Sequence, residues 1–177
     1  MAIRMAKVED LPRILEIYGP YVEHTAISFE YTVPTLEDFT QRFLGITANF
    51  PWLVWEEEGT VLGYAYGSAP FERAAYQWSA EASIYLCPEA QGRGIGRKLY
   101  AELEKILQKQ GYRKVYAIVT TANEASLAFH KAVGYRFTAE MPGVGYKFGK
   151  WHGTIWLEKD LNTWENPPCE PIAHTEI

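Results

Sequence analysis

The chain has 177 residues, 47% of them hydrophobic, and a formal net charge of −5 at pH 7. That length suits one domain with a full core, and the acidic balance argues against a broad nucleic-acid-binding surface. No apolar run is long enough to span a membrane, and the N-terminus lacks the apolar segment of a secretory signal, so no membrane partner is expected.

Taken in order, Ala2–Ala6 reads as a short strand. Asp10 stands where a helix N-cap belongs, with Pro12 in the first turn and Leu11, Ile14, Leu15, Ile17 and Tyr18 at helical spacing. Gly19-Pro20 is expected to kink or end that helix. His24–Pro34 reads as extended or loop. Thr35 with Asp38 resembles a capping box for a helix to about Ala48. Pro51–Glu57 and Val61–Gly67 flank the turn pair Glu58-Gly59 and predict a hairpin. Ser68–Ala75 is a loop and Tyr76–Leu86 a strand.

A glycine-rich turn then opens an amphipathic helix, whose Ile95, Leu99, Leu103, Ile106 and Leu107 share one face. Strand, glycine loop and helix start together make an anion site, because free backbone N–H groups point outward there and glycines allow close approach. The spacing of Gly92, Gly94 and Gly96 fits neither the dinucleotide fingerprint nor a P-loop. Gly111 closes the helix. Lys114–Val119 is a strand, and Asn123–Val133 is a helix stopped by Gly134. Tyr135–Glu140 and Trp151–Asp160 are strands joined by a loop at Pro142–Lys150. This order predicts an α/β domain, a mixed sheet with helices on both faces, over residues 1–161. Residues 162–177, with Pro167, Pro168 and Pro171, read as an extended tail. Cys87 and Cys169 make no disulfide framework, and His24, His152 and His174 show no metal spacing. Free thiols in a cytoplasmic protein are the expectation.

The strand ending at Leu86, followed by Gln91-Gly-Arg-Gly94-Ile-Gly96, resembles the Q/R-x-x-G-x-G/A signature of the GCN5-related N-acetyltransferases (GNAT). Asn123, Ser126 and the helix end Val133-Gly134-Tyr135 resemble that family's N-x-x-S-…-G-F/Y segment. Ser28-Phe29-Glu30, Pro51-Trp52-Leu53-Val54, Ala75–Glu81 and Thr175-Glu176-Ile177 are similar to the phosphinothricin N-acetyltransferase group within it. The resemblance implies a GNAT fold with a mostly antiparallel twisted sheet, acetyl-CoA as co-substrate and no metal. It further implies direct transfer, in a ternary complex, to the amine of a small amino-acid-like substrate of the phosphinothricin, methionine sulfoximine or methionine sulfone type, by a homodimer. Acetylation of a protein N-terminus and a non-catalytic acyl-CoA sensor are the competing readings.

Specific residues follow. Backbone N–H groups of Gly92, Gly94 and Gly96, at the helix start beside Ile95, can hold a pyrophosphate. Arg93 and Arg97 either add charge there or are solvated. By resemblance, Gln91 belongs to the same loop, and Ile84, Tyr85 and Leu86 lie along the pantetheine arm, with an amide near Leu86 as oxyanion donor. Asn123 and Ser126 either bond the pantetheine or cap the helix. Glu81 and His130 are the acid–base candidates; which is the principal base stays open. Arg73 is the candidate clamp for an acceptor carboxylate, with Phe29, Tyr76 and Trp78 as candidate pocket walls.

Overall fold

The computed structural model describes residues 1–177. One sheet contains seven strands: β1 (Ala2–Met5), β2 (Trp52–Glu57), β3 (Thr60–Ser68), β4 (Ser79–Leu86), β5 (Lys114–Thr120), β6 (Arg136–Lys147) and β7 (Lys150–Asp160). Their order is β1-β2-β3-β4-β5-β7-β6, antiparallel throughout except for the parallel pair β4–β5. The expected mixed α/β sheet is therefore present.

Successive side chains of a strand point to opposite faces, so neighbours in β4 identify the two layers. Tyr85 meets Tyr18 and Tyr21 of α1 (Leu11–His24), on the face where Phe39 and Phe43 of α2 (Leu36–Thr47) pack on Trp52. Ile84 faces the other way, toward α3 (Ile95–Gln110) and α4 (Glu124–Ala132). On that side Leu99, Leu103 and Leu107 are wholly buried. Gly96 makes this packing possible: a Cβ there would stand 3.3 Å from both Ile84 and Phe129.

Several local expectations change. Asp10 precedes α1, but its carboxylate does not cap that helix; it takes two bonds from Arg4, at 2.7 and 2.8 Å, and one from the Lys7 N–H at 2.8 Å, which caps the 3₁₀ turn of residues 8–10 instead. Helix α1 runs through Gly19-Pro20 as one segment. Thr35 does cap α2, accepting from the N–H of Asp38. Residues 74–76 form a single 3₁₀ turn, so β4 starts at Ser79, not Tyr76. The predicted loop at Pro142–Lys150 is mostly strand. β6 absorbs its Pro and Gly residues in a bulge between Met141 and Gly145, and the hairpin turns at Phe148-Gly149. Phe29 sits against Gly145 where any side chain would collide, which explains the glycine. The β6–β7 hairpin is pinned by Lys147, 4% exposed, whose ammonium donates to the carbonyls of Val22 and Ser28 at 2.6 and 2.7 Å.

The tail lies along the domain. The indole of Trp78 donates to the Cys169 carbonyl, and the buried Gln110 amide donates to the carbonyls of Asn49 and Ile172. No helix is long and apolar enough to cross a membrane.

Candidate active site

The feature that creates a site is the parting of β4 and β5. They pair only at Ser79–Lys114, Ala80–Val115 and Glu81–Tyr116, then diverge. The gap beyond is lined by Ala82, Ile84, Val119, Asn123, Ser126 and His130, among others. The N–H of Cys87 bonds the Leu62 carbonyl on β3. Backbone directions alternate along a strand, so the N–H groups of Ile84 and Leu86 turn away from β3 and into the gap. An unpaired strand edge is a ready partner for a chain that carries amides.

At one end of the gap stands the glycine loop. Gly92 and Gly94 have φ of +71° and +75°, and a Cβ at either would meet nothing within 4 Å. The loop's face is therefore open to a ligand, and α3 begins directly behind it with unpaired N–H groups. Arg93 turns its guanidinium to Glu57, at 2.8 and 2.9 Å, while Arg97 is exposed. Gln91 reaches back to the Tyr21 hydroxyl at 3.3 Å. Ile95 is 2% exposed and anchors the helix start in the core.

Where the strands part stands Glu81. It shares a face with Ser83 and Tyr85, on the α1–α2 side, opposite Ser68 and Tyr116. Burial alone pushes its carboxyl up to about 7. On the other side of the sheet lies His130, 3% exposed. Its Nδ1 is 2.7 Å from the Ser126 carbonyl, and a carbonyl can only accept, so Nδ1 carries a proton. Burial lowers the imidazole pKa, leaving a neutral ring with an accepting Nε2. Nε2 lies 2.9 Å from the hydroxyl of Tyr100. Asn123 caps α4 through its Oδ1, which accepts from the Ser126 N–H at 3.1 Å.

A family model described as an acetyltransferase (GNAT) domain matches residues 3–156. The chain belongs to the GNAT acetyltransferase family. It is 37% identical to a phosphinothricin acetyltransferase from Sinorhizobium meliloti solved in complex with AcCoA, with a TM-score of 0.90 over 97% of this chain and 94% of that one. A phosphinothricin N-acetyltransferase of Streptomyces viridochromogenes is 31% identical over 97% of this chain and 94% of its own length. An L-methionine sulfoximine/L-methionine sulfone acetyltransferase of Salmonella typhimurium is 34% identical, over 92% and 95%. The expected family, fold and activity class, an acetyl-CoA-dependent N-acetyltransferase, are borne out.

Within this GNAT domain, Ile84, Tyr85, Asn123, Ser126 and His130 come together along one gap. Tyr85 differs from its neighbours: its backbone pairs with Tyr64 of β3, and its ring joins an aromatic cluster with Tyr18, Tyr21 and Tyr64. Arg73 and Tyr76 share a separate groove with Phe71, Ser79 and the tail residues Pro171 and Ile172. Phe29 is in neither place; it lies under the β6–β7 hairpin beside His152. Trp78 is committed to the tail. Two tyrosines that sequence reasoning passed over, Tyr21 and Tyr100, touch the site directly. Tyr100 is next to Leu99 on the buried stripe of α3, and a hydroxyl on such a stripe requires a partner.

Proposed function

We propose that this GNAT enzyme acetylates the amine of a small amino-acid-like acceptor of the phosphinothricin, methionine sulfoximine or methionine sulfone type. The observation that carries the reading is Glu81, a carboxylate kept near neutrality by burial at the point where β4 and β5 separate. Such a group is ionised often enough at pH 7 to take a proton, and basic enough to want it. The relatives' substrates support the acceptor class.

In this reading Gly92, Gly94, Gly96 and the first turn of α3 hold the pyrophosphate, with Gln91 shaping the loop and the exposed Arg97 adding positive charge, while Arg93 stays paired with Glu57 unless the phosphates draw it away. The free edge of β4 aligns the pantetheine arm, and Asn123 and Ser126 line its far wall. Bound acetyl-CoA supplies the thioester carbonyl. Glu81 removes the ammonium proton, so that a neutral amine faces that carbonyl in one ternary complex. The N–H of Leu86 polarises the carbonyl oxygen. His130, neutral and hydrogen-bonded on both nitrogens, orients Tyr100 beside the Ala82 carbonyl, 3.1 Å from the hydroxyl. Arg73 binds the acceptor carboxylate, with Tyr76 beside it in the same groove; Phe29, under the β6–β7 hairpin, takes no part.

A cytoplasmic homodimer completes the proposal. Its support is the set of exposed apolar residues near the tip of the β6–β7 hairpin, Val144, Tyr146, Phe148 and Trp151, which a second copy would cover. The deciding experiment is a thioester-consumption screen across phosphinothricin, methionine sulfoximine, methionine sulfone, bulk amino acids and N-terminal peptides. Highest kcat/KM on the first three is expected; a preference for peptides would overturn the acceptor class.

A further inference from the structure

One hydroxyl joins the two parts of the cofactor site. The phenol of Tyr21, on α1, donates to the Leu86 carbonyl at 2.5 Å and lies 3.3 Å from the side-chain nitrogen of Gln91, which donates to it. Leu86 is the last residue of β4, and Gln91 opens the glycine loop. The peptide unit between Leu86 and Cys87 is thereby held at both ends: its carbonyl by Tyr21, its N–H by the Leu62 carbonyl at 2.9 Å. The Tyr21 ring is itself fixed, edge-on to Tyr85 at 5.2 Å. Burial raises the phenol's pKa, which keeps the hydroxyl a donor. A bond accepted from Gln91 strengthens the one given to Leu86, since hydrogen bonds in a chain polarise one another.

Acetyl-CoA is one molecule gripped at two places, and its pantetheine and pyrophosphate are a fixed covalent distance apart. We propose that Tyr21 is a positioning residue for acetyl-CoA, setting the spacing between the end of β4 and the glycine loop so that both grip the same molecule at once. This rests on the pantetheine lying along β4 and the pyrophosphate in the loop, as proposed above. Two grips at the right spacing reinforce each other; at the wrong spacing one is lost. Tyr21 touches neither the acetyl group nor the acceptor in this scheme, so its effect falls on the donor alone.

The test compares two donors, acetyl-CoA and acetyl-pantetheine, which lacks the pyrophosphate and nucleotide. Wild-type enzyme should use acetyl-CoA with much the higher kcat/KM; equal use of both would refute the loop as the pyrophosphate site and leave nothing for Tyr21 to space. Given that preference, Tyr21→Phe should raise KM for acetyl-CoA about tenfold, the scale of one lost hydrogen bond. It should leave the acceptor KM unchanged and kcat/KM for acetyl-pantetheine within about twofold of wild type. Gln91→Leu should show the same pattern more weakly, and the double variant should be no worse than Tyr21→Phe. An equal penalty with both donors would mean that Tyr21 merely supports the fold, and no penalty with either would end the proposal. If Tyr21→Phe folds poorly, Gln91→Leu carries the same comparison alone.

Discussion

The hydroxyl of Tyr100 and the Nε2 of His130, thirty positions apart in the chain, are hydrogen-bonded at 2.9 Å beneath the gap between β4 and β5. The Ser126 carbonyl fixes the proton on Nδ1, so Tyr100 is the donor of this pair. The Tyr100 hydroxyl has a second acceptor in the Ala82 carbonyl at 3.1 Å, whereas Nε2 bonds Tyr100 alone. Tyr100→Phe should therefore leave Nε2 buried without a donor and cost about 1–3 kcal/mol. Tyr100→Phe combined with His130→Leu should cost clearly less than the sum of the two single changes, because Tyr100→Phe orphans Nε2 and His130→Leu removes that orphan, while the hydroxyl keeps the Ala82 carbonyl. Urea unfolding of the four proteins measures this coupling.

Glu81→Gln should trade activity for stability. Its carboxyl, pushed up to about 7 in the fold, has an ordinary value of 4.5. Between those values the folded chain holds a proton that the unfolded chain has released, so stability falls as pH rises through this window. Glutamine removes that penalty. The variant should match wild type near pH 4 and exceed it by about 3 kcal/mol at pH 8, while kcat falls by about 10²–10⁴-fold. Thermal melts at the two pH values read the first effect. The pH–rate profile reads the second: the wild-type rise near pH 7 should vanish in the variant.

On the proposed role of Arg73 as a carboxylate clamp, Arg73→Ala should raise the acceptor KM by about tenfold or more and leave the acetyl-CoA KM alone, since the bidentate bond proposed for it would be lost only on the acceptor side. Arg73→Lys should recover part of that loss. Steady-state kinetics with each substrate varied in turn distinguishes the two constants.

Lys147→Met should destabilise the fold by about 2–4 kcal/mol, because the carbonyls of Val22 and Ser28 lose their buried donor together. The β6–β7 hairpin should loosen first. Hydrogen exchange of the residue 137–155 segment should accelerate ahead of β2 and β3.

What could be read from the chain followed from how local each constraint was. Gly92 and Gly94 were legible because a tight loop before a helix needs residues that tolerate positive φ, and that need is written in a few adjacent positions. Glu81 was placed on β4 by the alternating run before that loop, while its role as base came from the family resemblance and stays a proposal. Thr35 was legible because its cap spans three residues. Asp10 misled for the opposite reason: the carboxylate that should cap α1 is taken by Arg4, from another element. The bulge in β6 replaced an expected loop because β7 supplies the pairing that Pro142 and Gly143 appeared to forbid. Tyr21 and Tyr100 were missed because each meets its partner across sixty-five and thirty residues, a juxtaposition only the folded sheet creates.

The three ladder positions that join β4 to β5 also make a mechanical statement. Four strands lie on one side of that seam and three on the other, each set joined by longer ladders than the seam itself. Load applied across the sheet concentrates at the shortest ladder, so force spectroscopy should see the molecule tear at the seam before either half unravels. In the proposed binding mode acetyl-CoA would act there as a rivet between the two strands, and saturating acetyl-CoA should raise the rupture force.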